Sequence, residues 1–223
     1  MSDQNSLVPF FCSLDLRDRP GMRETFIKAV FDNQAEFGLD LGNEIVGRLA
    51  DHYELVSAAN PLLHLVGPCA AEEFATRHVL ESLTLLEHLP ANARFADVGT
   101  GAGFPSIPCL LARDDLRGTL IESKEKKAAF LSEAIEQLRI AGRASIVNRQ
   151  FEEASSEGCG FVTCRALDKF SERLPRLLKW SLGRKLLLFG GHNLRDELDR
   201  GRAGYSQKLM PLSEQRFLFV LEN

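Results

Sequence analysis

The sequence lacks any uninterrupted apolar stretch approaching the roughly 20 residues that a membrane-spanning helix needs. Its longest early apolar run, Leu7 to Cys12, follows Asp3 rather than a basic segment, so neither a spanning helix nor a secretory signal is expected. It has no internal repeat and no low-complexity tract. With 44% apolar and 26% charged residues, disorder, collagen and coiled coil are excluded. Cysteine is sparse: Cys12, Cys69, Cys109, Cys159 and Cys164 are odd in number and scattered, with no C-x-x-C pair and no histidines at ligand spacing. No disulfide frame and no metal are expected, only the reduced thiols of a cytoplasmic protein. An excess of positive charge is also missing. The net charge of −4 argues against a broad coat of nucleic acid, though it leaves room for a local basic patch on an acidic body.

The 223 residues suffice for one full domain plus an accessory segment. A chain of this size buries about 70% of its unfolded surface and needs no staple. From Met22 to Pro90 the apolar residues recur at helical spacing, as Phe26, Ile27, Val30 and Phe31, then Leu41, Ile45, Leu49 and Tyr53, then Phe74, Leu83, Leu86 and Leu89. Turn signals at Asn60-Pro61 and Gly67-Pro68 divide this region into about three helices, with Leu62 to Val66 as a loop or short strand. Beyond Pro90 strand and helix alternate. Strands are expected at Phe95 to Val98, Thr119 to Glu122, Ala144 to Val147, Phe161 to Cys164 and Lys185 to Phe189. Helices are expected around Leu110, from Lys124 to Ala141 with Ser123 as N-cap and Gly142 as C-cap, and from Ser171 to Leu182. Gln207 to Leu209 and Phe217 to Leu221 read as a terminal hairpin. The expected fold is α/β and Rossmann-like: a mostly parallel sheet with a C-terminal antiparallel hairpin over residues 93–223, and an N-terminal helical extension over residues 1–92. Such a sheet binds its ligand outside the carboxyl ends of its strands.

The strongest chemical signal is Asp97-Val98-Gly99-Thr100-Gly101-Ala102-Gly103-Phe104, where the first strand hands over to a helix. Glycines let backbone turn tightly and approach a ligand with no Cβ in the way. The dinucleotide fingerprint places its third glycine at position 104, which is Phe, whereas here it falls at Gly103. The segment resembles instead the acidic-x-G-x-G-x-G loop of S-adenosylmethionine-dependent methyltransferases. That cofactor carries a sulfonium and a zwitterionic amino acid rather than a diphosphate, so an acidic strand end at Asp97 suits it. Glu122 closes the next strand about twenty residues later, where a carboxylate can accept both ribose hydroxyls, and Ser123 follows it.

The acceptor is narrowed by what the sequence does not supply. After the fourth strand stands Thr163-Cys164-Arg165-Ala166-Leu167, not the N/D-P-P-Y/F segment usual for adenine amino groups. Carbon-5 methylation of pyrimidines needs a cysteine nucleophile, typically after proline. Pro68-Cys69 precedes the cofactor loop, Pro108-Cys109 lies on an expected helix, and Cys164 lacks the proline. A ring nitrogen such as guanine N7 has its own lone pair and asks only for positioning.

Arg77-His78-Val79-Leu80-Glu81-Ser82-Leu83, then Asp97 to Pro108, then Ile121-Glu122-Ser123-Lys124 and Cys164-Arg165-Ala166 together resemble the glucose-inhibited division protein B family, from about residue 25 to the C-terminus. The resemblance implies a class I S-adenosylmethionine-dependent methyltransferase acting on guanine N7, with 16S ribosomal RNA or the small ribosomal subunit as partner; a monomeric state is expected. It puts Gly99 and Phe104 at the cofactor, Phe151 and Glu152 around the adenine, and Arg165 at the cofactor and acceptor side as the orienting group. The chain departs from the family at His64, Ser106, Glu122 and Phe189, where asparagine, glycine, aspartate and lysine are usual.

Arg165, Lys169, Arg173, Arg176, Lys179, Arg184 and Lys185 face only Asp168 and Glu172 over the same stretch. This predicts a local RNA contact, with Lys126 and its neighbours Lys124 and Lys127 extending it and Arg77 and His78 on the acceptor side. Two other readings stay open. One is a module that keeps the loop and holds RNA or ribosome without turnover; the other is a small-molecule methyltransferase.

Overall fold

The computed structural model describes residues 21–165 and 170–222. Seven strands form one sheet in the order β3-β2-β1-β4-β5-β7-β6. β1 (Arg94–Val98), β2 (Arg117–Ile121), β3 (Ala144–Val147), β4 (Phe161–Arg165) and β5 (Lys185–Gly190) are parallel. The terminal hairpin, β6 (Ser206–Leu209) and β7 (Phe217–Glu222), adds antiparallel to β5 through β7. The strand order reverses between β1 and β4, which opens a crevice at their carboxyl ends.

The alternation of side chains along each strand divides the core in two. Phe95, Leu120, Leu187, Phe189 and Leu218 face the side covered by the N-terminal helices; Ala96, Val98, Leu186, Leu188 and Phe219 face the other. On the first side lie α1 (Met22–Asn33), α2 (Asn43–Leu63), a composite helix α3, α4 (Ser106–Ala112) and α5 (Glu125–Gln137). On the second lie α6 (Phe170–Trp180) and α7 (His192–Arg200). Composite α3 joins an α-helical turn at Ala71–Glu73, a π-helical stretch at Phe74–Leu80, a second α-helical turn at Glu81–Leu83 and a 3-10 end at Thr84–His88. Phe26, Tyr53 and Phe74 pin α1, α2 and α3 together, with Phe26 stacked on Tyr53 at 4.7 Å between centroids.

Several boundaries move. α2 runs through Pro61 at the loss of one ladder bond and ends two residues later at Leu63. The chain leaves at His64 instead, in left-handed backbone at φ 48°, with His64 N–H on Asn60 O and Asn60 Oδ1 accepting Val66 N–H. Ser123 does not cap α5, whose N-cap position is Lys124, and Gly142 does not close it. The turn comes earlier, at Arg139 with φ 56°, where Ile140 N–H reaches back to Ile135 O at 2.9 Å. Helix α7 had no expectation in the sequence, since only Leu194 and Leu198 of its nine residues are buried.

Candidate active site at the carboxyl edge of the sheet

A cleft of about 490 Å3 opens where β1, β2, β4 and β5 end, within the range of a small-ligand site. Its floor is the glycine loop. Gly99, Gly101 and Gly103 take φ of 71°, 57° and 92°, values that a residue with a Cβ rarely adopts. Gly99 N–H is held by Ile121 O at 2.9 Å, and Gly103 N–H by Thr100 O at 2.8 Å. Gly99, Thr100, Gly101 and Phe104 line the cleft; Gly103 lies outside its wall and serves the turn into α4.

Asp97 is not at the cleft, which corrects the expectation that its charge faces the cofactor. It is fully buried beneath the loop, on the same strand face as Phe95, with Oδ2 accepting the hydroxyls of Thr100 at 2.6 Å and Ser106 at 2.5 Å. Its role is to brace the loop. Ser106 thus has an assignable function as the second hydroxyl on that carboxylate. Burial pushes the Asp97 pKa up to about 7, against the pull of the two hydroxyls and with a contribution from Glu122.

The sign of the consequence is definite. Its folded value of about 7 exceeds the ordinary 3.8, so between those pH values the folded state holds a proton that the unfolded chain has lost, and this group's contribution to stability falls as pH rises. His52 and His78 act oppositely, their values being lowered from 6.5 to about 4 and about 3. The test is therefore a difference: relative to wild type, Asp97→Asn gains stability between pH 5 and pH 8, on the order of a few kcal/mol. Chemical denaturation at both pH values checks it, and a difference independent of pH would refute the assignment.

Glu122 stands at the end of β2, 6% exposed and on the cleft wall. Oε2 accepts Gly101 N–H at 3.1 Å and Oε1 accepts Lys124 N–H at 2.8 Å, so the carboxylate is fixed between loop and helix. Ser123 and Phe151 share the same wall. The Phe151 ring packs edge-on against Trp180 at 5.7 Å, and the Arg173 guanidinium lies 5.7 Å from its centroid while donating to Gln150 Oε1. Glu152, expected beside Phe151, is exposed, lies off the cleft and pairs with Arg176 at 3.8 Å. The short 3-10 turn at Phe151–Glu153 sends the two side chains apart.

The opposite wall carries Arg77, His78 and Arg165. Arg165 ends β4, with Nη2 donating to Arg77 O at 2.6 Å and Glu81 Oε2 at 3.1 Å; its Nη1 is buried with no hydrogen-bond partner among the described residues. Burial pulls its pKa down and Glu81 pulls it back up. His78 is both packed and on the wall, stacked on Phe104 at 5.3 Å. Burial, then the fields of Arg165, Arg77 and Arg216, push its pKa down to about 3, so it is neutral and no acceptor for a transferred proton near neutral pH.

Sequence reasoning missed His52, whose Nε2 lies 2.9 Å from Ala102 O and ties α2 to the loop. A lone histidine on a helix gives no signal of that contact. It also missed Glu81 and Arg216 as members of the wall. The basic stretch divides: Arg173 reaches the cleft, but Arg184 and Lys185 lie at the other end of β5, bonded to Ser156 O and Glu222 respectively. Lys126 is exposed and off the cleft, while Lys124 and Lys127 line it. Lys169 lies outside the described residues. Among the described residues seven cations, Arg77, Lys124, Lys127, Arg149, Arg165, Arg173 and Arg216, thus surround the cleft against two carboxylates, Glu81 and Glu122.

Cys109 and Cys164 are buried in the two halves of the core, and burial pushes the Cys109 thiol well up, so neither is placed as a nucleophile. Among the described residues no group of histidine, cysteine or acidic side chains could hold a metal ion, and no helix is long and apolar enough to cross a membrane.

Sheet order, switch-point cleft and glycine loop define a Rossmann-like methyltransferase fold. A methyltransferase described as S-adenosylmethionine-dependent, from Aquifex aeolicus, superposes with a TM-score of 0.54 at 13% identity, over 68% of this chain and 93% of that one. The chain belongs to the family of rRNA small subunit methyltransferase G, which matches residues 46–216. The ribosomal RNA small subunit methyltransferase G of Sorangium cellulosum is 33% identical over 193 residues, 83% of this chain and 78% of the relative. That of Corynebacterium diphtheriae is 34% identical over 154 residues, 67% of this chain and 69% of the relative.

Proposed function

We propose that the protein transfers a methyl group from S-adenosylmethionine to N7 of a guanine in 16S ribosomal RNA. The observation that carries this reading is the juxtaposition, in one cleft, of the braced glycine loop with Glu122 and a seven-cation rim centred on Arg165. The residues fit the cofactor: Gly99 to Gly101 would give it close backbone approach, Glu122 would accept its ribose hydroxyls, and Phe151 would give its adenine an apolar face. When bound, it supplies an electrophilic methyl group. The chain's own residues then hold and orient the acceptor, whose ring nitrogen attacks with its own lone pair, so neutral His78 is not required as a base. The rim cations draw in the phosphate backbone. The chain divides into an N-terminal extension, residues 1–92, whose described helices from Met22 onward close one side of the cleft, and a catalytic domain, residues 93–223, in a cytoplasmic, monomeric enzyme.

Nucleoside mass spectrometry after reaction with undermethylated 16S RNA is the test, and 7-methylguanine is the expected product. Methyl on an adenine amino group or a pyrimidine carbon would refute the acceptor assignment. Glu122→Ala should weaken cofactor binding by roughly 1.5 to 3 kcal/mol, the value of a hydrogen bond to a charged acceptor. Calorimetry on the folded variant measures this, and unchanged affinity would remove Glu122 from the site. Arg173→Ala and Lys127→Ala should each weaken RNA binding and flatten its dependence on salt by about one unit of slope, with turnover at saturating RNA preserved.

A further inference from the structure

Helix α3 changes its hydrogen-bond pattern where it passes the cleft. It is π-helical over Phe74–Leu80, and Glu81 N–H accordingly reaches back five residues to Thr76 O. The Arg77 carbonyl, four residues back, accepts Arg165 Nη2 at 2.6 Å. Such single-turn π segments interrupt helices mostly where a function needs a group re-aimed.

The next residue of the device is Glu81, 1% exposed. Its Oε2 accepts Arg165 Nη2 at 3.1 Å and its Oε1 accepts Arg216 Nε at 2.6 Å, so one buried carboxylate holds two guanidinium groups brought from β4 and from the edge of β7. Here one positive charge is left over, beside Arg77, on a cleft wall to which Glu81, Arg165 and Arg216 all belong. Arg165 Nη2 is held by Arg77 O and Glu81, its guanidinium carbon lies 5.5 Å from the Phe189 ring centroid, and Nη1 is buried with no hydrogen-bond partner among the described residues.

We propose that Glu81, whose N–H closes the π-helical stretch, is a positioning residue for methyl transfer: it locks Arg165 and Arg216 into a fixed pair whose remaining donors take the oxygen-bearing edge of the acceptor base. This rests on the reading that Arg165 orients the acceptor. It accounts for the presence of a carboxylate in a site that attracts a polyanion, since Glu81 faces the arginines and not the RNA.

The experiment is steady-state methylation of undermethylated 16S RNA by the full chain. Glu81→Gln keeps the volume and an acceptor oxygen but removes the charge. It should lower kcat by at least about tenfold, in line with the cost of a misplaced reacting group, while cofactor Kd stays within about twofold. Glu81→Asp, which restores the charge on a shorter stem, should recover part of the loss. A purely structural Glu81 would lower Tm and leave kcat per folded enzyme within about twofold of wild type, and that result overturns the inference. Should Glu81→Gln fail to fold, Glu81→Asp decides by the same criterion. Arg165→Ala is assayed alongside. A slow Arg165→Ala with a normal Glu81→Gln sinks this inference alone; a wild-type Arg165→Ala sinks the reading that Arg165 orients the acceptor, and this inference falls with it.

Discussion

Arg165→Ala should reduce single-turnover methylation by about 100-fold or more under saturating cofactor and RNA, the scale on which loss of one orienting donor or a 1 Å misplacement acts. The expectation follows from how the side chain is held. Nη2 is committed to Arg77 O and Glu81, and Nη1 is a buried donor on the wall of the cleft with no partner among the described residues. A guanidinium in that place can meet the O6 edge of guanine or a neighbouring phosphate while leaving the N7 lone pair free for the methyl group. Lysine keeps the charge but not the planar fork, so Arg165→Lys should fall nearly as far. Stability also drops, though less than for an isolated buried pair, because Glu81 keeps Arg216 when Arg165 is gone. Folded variants are therefore compared below their melting temperatures. Wild-type rates in Arg165→Ala would reduce the residue to a structural cation and move the orienting role to Arg77.

The glycine loop was legible because its chemistry is contiguous: three glycines at alternate positions and an acid closing the following strand are visible without any tertiary information. Asp97 shows the limit of that reading. An acid at a strand end looks the same whether it faces a ligand or the core, and the two-residue alternation that places Asp97 with Phe95, beneath the loop, acquires its meaning only once the covering helices are known. Glu81, Arg165 and Arg216 mark the other limit. Their contacts span 84 and 135 residues of sequence, and the π-helical stretch that ends at Glu81 has no compositional signature. The basic stretch from Arg165 to Lys185 misled for a related reason. A strand, a helix and a turn carry those cations to opposite ends of the sheet, so adjacency in sequence did not become adjacency in space.

Gly103→Ala should cost about 2 to 4 kcal/mol of stability and abolish cofactor binding at concentrations that saturate the wild type, although Gly103 does not line the cleft. Two separate costs add. With φ at 92°, the residue occupies backbone in which an L side chain is strained, a penalty of roughly 1 to 2 kcal/mol. A Cβ there would also lie 2.4 Å from Ile107 Cδ1 and 2.7 Å from Cγ1, and the fully buried Ile107 has no room to turn away. Relief must come from the backbone. Ile107 N–H is bonded to Gly103 O at 2.7 Å, so any shift is transmitted to the start of α4 and to Ser106, which braces Asp97 and through it the loop. The two costs can be separated by Gly103→Ala/Ile107→Ala. That double variant removes the collision but not the strain, so its destabilisation should fall short of the sum of the single variants by more than about 1 kcal/mol. Cofactor affinity should return in part. Strict additivity in thermal or chemical unfolding would mean that the close approach of Gly103 to Ile107 is not what fixes the loop, and that backbone strain alone makes glycine necessary at this position.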